Sequence, residues 1–431
     1  MKNENLSELT KKYLEETDDN VVAVSYGYKT VNGKITDEKA ICFNVKKKIP
    51  ISELTPDKIL PKKIDFNGES YLTDVSEGNF ELFYSAARFC YDNHYTWWDY
   101  YPQPPARITP AGRYKNRPLK GGVSVTNFSS NASSIGTLGL LAKDNEDDSL
   151  VGLSNNHVLI NDAFIAAERT NPSILTNILN DVTTQPHEWF DNGLGNRIGI
   201  VKRYAPLRST GYNRVDAAIT TIDSTVASNT ESWKQAGLTI NTPMPFATKA
   251  ELDNIFSTNP LLFSAGRTSG PKGELDTKLK LFATNVAVTI GYSKQGGSQL
   301  ASFEDCMLFI ASGATTPAGE VCFFPLAPGD SGSALIAELS GVKKIIGLCF
   351  AGDVVFINNP LGGSPATVPV STLGVACRID HIASELNISA WDGGAVTYSN
   401  TNNIQQHLVS GLSNEPYIEI EGKKYWQIGL I

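Results

Sequence analysis

At about 150 residues per domain, a chain of 431 residues has room for two to three domains. Its 41% hydrophobic and 19% charged residues describe a globular chain able to bury its own core, not a disordered one. Lys and Arg total 37 against 45 Asp and Glu, and the net charge of −8 argues against nucleic-acid binding, which needs a basic field. No apolar run approaches the ~20 residues of a spanning helix, and Ile345–Ala351 is strand length, so no membrane partner is expected. The polar start over residues 1–20 lacks the apolar stretch of a secretory signal. Cys42, Cys90, Cys306, Cys322, Cys349 and Cys377 lie far apart with no Cys-x-x-Cys pair, which suits reduced, buried thiols and a cytoplasmic location. No metal or organic cofactor is expected.

Along the chain, Leu6, Leu9 and Leu14 have helical spacing over Leu6–Glu16. Val21–Tyr28 and Ala40–Val45 alternate on either side of Asn32-Gly33, a hairpin signal, and Ser70–Val75 resumes strand spacing. The run Lys46–Lys48 reads as a solvated strand end. Residues 1–83 are therefore expected to form a small α+β domain. Residues 84–117, with Trp97, Trp98 and Tyr101 among the aromatics and a series of prolines, read as a linker pinned onto a neighbour.

From residue 118 to about 390 short β-like runs dominate, separated by Gly and Asn/Asp turns. They include Gly122–Thr126, Ile135–Leu141, Leu150–Leu153, Arg197–Lys202, Val215–Thr221, Leu279–Ile290, Lys344–Ala351 and Leu373–Cys377. Phe164–Asn192 and Glu231–Ser257 read as insertions with helical character. Residues 391–431 form a C-terminal extension ending in a hairpin turned at Gly422.

Three segments carry chemistry. Ser154-Asn155-Asn156-His157-Val158 ends a strand on a histidine, Val215-Asp216-Ala217-Ala218-Ile219 sets an acid before a strand, and Gly329-Asp330-Ser331-Gly332-Ser333 puts a serine in a glycine-flanked turn. A serine hydroxyl needs a base to take its proton, an imidazole serves, and a carboxylate on its far nitrogen fixes the tautomer. Backbone amides of Gly329 and Ser331 can then face a developing oxyanion.

On these motifs the chain resembles trypsin-like serine proteases of the chymotrypsin fold, and within them the narrow-leaf-type bacterial and plant peptidases. Gly121–Ser124, Gly136-Thr137-Leu138-Gly139, Gly266–Gly270 and Phe303–Asp305 match further blocks of that subgroup. The resemblance implies a mainly β fold, a chymotrypsin-like double β-barrel behind the small α+β domain. It implies a serine endopeptidase acting on a protein or peptide, with His157, Asp216 and Ser331 as triad and Gly329 and Ser331 as oxyanion donors. Phe350, Ala351 and Gly352 match the strand that pairs with substrate backbone, and Pro325 stands where an acidic residue would select Lys or Arg, so small or apolar side chains are expected. In trypsin-like zymogens the Asp before the nucleophile pairs with a newly cut N-terminal amine; no activation site is evident here, so Asp330 needs another partner or its loop waits for ordering. The N-terminal domain, a regulatory protein or homo-oligomerisation could supply that ordering. Two rivals stand beside this reading: an α/β-hydrolase built from Ser331, Asp353 and His381, and a trypsin-fold scaffold that binds partners with little or no proteolysis. His94, His187 and His407 read as structural or surface residues.

Overall fold

The computed structural model describes residues 2–31, 34–82, 115–127, 135–160, 179, 181–186, 196–274, 277–294, 297–313, 325–327, 329–358, 367–398, 417–420 and 423–426. The aromatic stretch, most of Phe164–Asn192, and His94, His187, His407, Cys90 and Cys322 lie outside them.

The N-terminal part begins with helix α1 (Lys2–Glu16), which buries Leu6 and Leu9 one turn apart. Strands β1 (Val21–Val31) and β2 (Lys34–Val45) form the antiparallel hairpin foreseen at Asn32-Gly33, with Val31 opposite Lys34. A second hairpin, absent from the sequence reading, joins β3 (Lys63–Phe66) to β4 (Glu69–Glu77). Asn67 and Gly68 turn it with φ of 50° and 78°, the double positive φ that two-residue hairpins need. Leu6, Leu9, Val24, Ile41, Phe43 and Ile64 form a small core under α1. The ladder does not stop at this unit: β1 pairs with a much later strand, Ala23 opposite Val288. Lys46, Lys47 and Lys48 are exposed. The segment closes with a three-residue strand, β5 (Phe80–Leu82).

The middle of the chain supplies β6 (Val123–Asn127), β7 (Ile135–Leu138), β8 (Leu140–Asp144) and β9 (Leu150–Ser154). After the short helix α2 (Asn156–Leu159) come β10 (Val182–Thr184), β11 (Arg197–Tyr204), β12 (Tyr212–Asn213) and β13 (Ala218–Thr221). Apart from β12, which belongs to the other sheet, they form one sheet in the order β8-β9-β13-β11-β10-β6-β7. Only Gly139 separates β7 from β8, so the two ends of that order are neighbours in the chain and the sheet curls back on itself. Strand β10 belongs to this sheet, although its sequence falls in a stretch read as an insertion.

The last part adds helix α3 (Lys249–Thr258), started by a capping box between Thr248 and Glu251. It is followed by β14 (Leu262–Gly266), β15 (Gly270–Lys272), β16 (Thr277–Lys294), β17 (Gly297–Gly313), β18 (Ala334–Leu339), β19 (Val342–Asn358) and β20 (Thr367–Arg378). Pairings β16-β17-β20-β19-β18-β14-β16 close a ring of six strands. Helix α4 (Ile379–Leu386) then leads to β21 (Ile388–Ala390), which pairs with β8 of the other sheet. Trp391 continues into that sheet's core, and Thr397 bridges Ser149. Strands β22 (Tyr417–Ile420) and β23 (Lys423–Trp426) form the hairpin expected around Gly422.

The molecule is thus mainly β with two principal sheets. Leu140, Val151, Leu153 and Ile219 of the first share one core with Leu335, Leu348 and Phe350 of the second. Each such side chain contributes about 1.5–3 kcal/mol on burial. Among the described residues no helix is long and apolar enough to cross a membrane. Cys42, Cys306, Cys349 and Cys377 are buried free thiols, as their apolar contexts suggested.

Candidate active site

Strand β9 delivers His157. The strand ends on Ser154, whose hydroxyl donates to the Thr137 carbonyl (2.7 Å), and Asn155 and Asn156 fix the turn by donating to the carbonyls of Asp216 (2.6 Å) and Ala205 (2.5 Å). The His157 Nδ1 lies 2.6 Å from Asp216 Oδ2, and its backbone amide donates to Asp216 Oδ1 at 3.1 Å. Asp216 is fully buried, so an ionised carboxylate there needs donors on both oxygens. Tyr292 supplies another, its hydroxyl donating to Oδ2 at 2.7 Å. Burial and the Asp216 charge hold the Tyr292 phenol well above its ordinary range, which keeps it a donor. With the carboxylate accepting at Nδ1, the basic nitrogen of the ring is Nε2.

Ser331 arrives from the second sheet, on the loop that enters β18. Gly329 and Gly332 have φ of 97° and 92°, which L side chains resist. Asp330 is buried and turns inward: it accepts from the amides of Ala327 (2.9 Å), Thr268 (3.0 Å) and Ser269 (3.0 Å) and from the Ser269 hydroxyl. The buried ammonium of Lys272 lies 3.5 Å from Asp330 Oδ2, and also donates to the Pro325 carbonyl at 3.0 Å and to Ser269 Oγ. Burial holds the Lys272 pKa below its ordinary value, and the Asp330 charge offsets this only in part. The question left open by the sequence thus has an answer: Asp330 takes its partners from within the chain, around β14 and β15. A side chain on Gly266 would run into that carboxyl.

Strand β7 draws the two halves together. Thr137 donates from its amide to the Ser331 carbonyl (2.7 Å) and from its hydroxyl to the Gly329 carbonyl (2.9 Å). Beside it, Gly136 leaves room for Val158, next to His157, and for the Ser331 carbonyl; a Cβ would meet both. An aromatic series spans the same space, from His157 to Tyr292 (6.2 Å), to Phe303 (6.2 Å) and to Phe350 (4.8 Å). The Ser331 hydroxyl donates to the Phe350 carbonyl at 3.2 Å.

Pro325, Phe350, Ala351 and Gly352 are all buried beside this loop. The rival set of Ser331, Asp353 and His381 is not brought together. Asp353 accepts from the Asn79 amide (2.8 Å) and the Thr372 hydroxyl (2.6 Å), while His381 Nε2 lies 2.8 Å from Asp305 in a cluster around Arg378. Tyr292 and Lys272 are the residues that sequence reasoning missed. Tyr292 had a signal, since Val286, Val288, Ile290 and Tyr292 alternate inward and a buried phenol needs an acceptor. Lys272, alone among Gly and Pro, had none.

No family model matches the chain, and no curated protein does. Among solved structures it is similar to a glutamic-acid-specific serine protease described as using a histidine triad in substrate binding, at 13% identity and a TM-score of 0.34, covering 63% of this chain and 100% of that one. It is also similar to the chymotrypsin of Cellulomonas bogoriensis, at 12% identity and a TM-score of 0.34, covering 64% and 98%. Likeness at this level is coarse, and the architecture rests on the strand pairing itself.

Proposed function

We propose that the chain is a serine endopeptidase in which Ser331 attacks the peptide carbonyl and His157 takes and returns the proton. Asp216 orients His157 and stabilises its charged form. The supporting observation is the buried Asp216–His157 pair, held across β7 from a serine in a glycine-shaped loop. The amides of Gly329 and Ser331 are the oxyanion donors in this reading, and an acyl-enzyme on Ser331 is its intermediate. Water then releases the acid product. A fluorophosphonate probe should label the wild type and not Ser331→Ala. Ser331→Ala and His157→Ala should each lower peptide turnover by several orders of magnitude and combine non-additively. Wild-type cleavage by Ser331→Ala would remove the mechanism. A second reading, a partner-binding scaffold of the same fold, draws on one detail: the Ser331 hydroxyl is engaged with the Phe350 carbonyl. Absence of labelling in the wild type even after prolonged exposure to the probe would favour it. Cytoplasmic location, a regulatory partner and self-association remain part of the proposal, and cell fractionation and sedimentation test the first and last.

A further inference from the structure

The edge of β19 beside Ser331 already carries a strand. Leu82 lies opposite Ala351, Glu81 opposite Gly352 and Phe80 opposite Asp353, in antiparallel register. These are the positions a substrate backbone would take in the proposed function, on which this inference rests. The direction matches as well. As β5 runs from Phe80 to Leu82 it advances along β19 toward Phe350, whose carbonyl accepts from Ser331. The acyl half of a peptide substrate must approach a nucleophile in that sense, its residues leading up to the carbonyl that is attacked.

Three features hold β5 there. Its other edge pairs with β16, Glu81 opposite Gly291, so the strand is clasped between two long hairpins. Phe80 and Leu82 point into the shared core and are buried. Just before the strand, the Asn79 amide donates to the Asp353 carboxyl, which burial holds above the usual carboxylate range. Extended peptides bind by adding a strand to such an edge, main-chain bonds giving affinity and alternate side-chain pockets giving choice.

We propose that Phe80–Leu82 is a built-in competitor: a strand of this chain that fills the acyl-side peptide groove and keeps the enzyme largely closed to substrates in trans. Activation is then the displacement of β5, by a better peptide or by a pull on the N-terminal part. No bond need be cut, because Asp330 is satisfied within the chain.

The test uses full-length protein. Glu81→Pro removes the amide at the centre of β5, and Asn79→Pro removes the one that anchors it to Asp353, outside the strand. A melting curve establishes that each variant is folded. Hydrolysis of a small peptide substrate and the rate of fluorophosphonate labelling at Ser331 are then compared with wild type. At least one folded variant should cleave and label about tenfold faster or more, as expected when a competing closed state is removed. A synthetic peptide of residues 78–82 should slow that variant competitively. If every folded variant labels and cleaves at the wild-type rate, β5 is a structural strand and the inference fails, with the protease reading intact. If neither wild type nor variants label, Ser331 is not an activated nucleophile and both readings fall.

Discussion

Two fully buried carboxylates, one beside each principal sheet, are met by different partners, and in the proposed function they have opposite uses. Asp216, in the first sheet, is met by an imidazole, a phenol and one backbone amide. Asp330, in the second, is met by three amides, a hydroxyl and a lysine. An imidazole exchanges a proton near neutral pH, so a carboxylate beside it can support proton transfer. Fixed amides and a lysine held by the Asp330 charge form a loop anchor instead. Burial of a carboxylate therefore does not define its role; the partner does.

The widest separation between the two should come from removing charge on the first. Asp216→Asn should reduce peptide turnover by about 10⁴-fold, through the wrong His157 tautomer, while thermal stability stays near wild type. Steady-state kinetics beside a melting curve checks this. On the other side the loss should be in stability. Lys272→Met or Asp330→Asn should each cost about 3–5 kcal/mol, because either removes one side of a buried ion pair. The Lys272→Met/Asp330→Asn pair should cost less than the sum of the two single changes in denaturant unfolding. Additive losses would mean that the ion pair contributes nothing of its own.

Tyr292→Phe sharpens the contrast from the proton-handling side. It deletes one hydrogen bond to a charged group, worth about 1.5–3 kcal/mol, and should lower turnover roughly tenfold with little change in KM. The smallest effect belongs to Asp353, whose pKa is raised above 3.8 mainly by burial. As pH rises from that value, the unfolded chain releases this proton before the folded chain does, so stability falls through the window and stays lower above it. Asp353→Asn has no such proton to lose. Its stability relative to wild type should therefore improve between pH 3.5 and 7, read from denaturant midpoints at the two pH values.

Much of this molecule is written locally. Alternation marked the inner stretches of the long strands, though not their full length, Asn32-Gly33 marked its hairpin, and small motifs singled out His157, Asp216 and Ser331 before any of them had neighbours. Local pattern says which face of a strand is buried, because the period of two is a property of the backbone itself. It does not say which strand lies alongside. The pairing of β1 with β16, the phenol of Tyr292 on Asp216 and the ammonium of Lys272 on Asp330 each join residues distant in sequence, and only the closed sheets bring them together. Strand β5 is the clearest instance. Phe80-Glu81-Leu82 is too short to have a period, and its place against Ala351 and Gly352 comes from the two hairpins that clasp it. Chemical groups and the faces they occupy are local properties of the chain; their partners come only with the closed sheets, because hydrogen bonding and burial act through space and not along the chain.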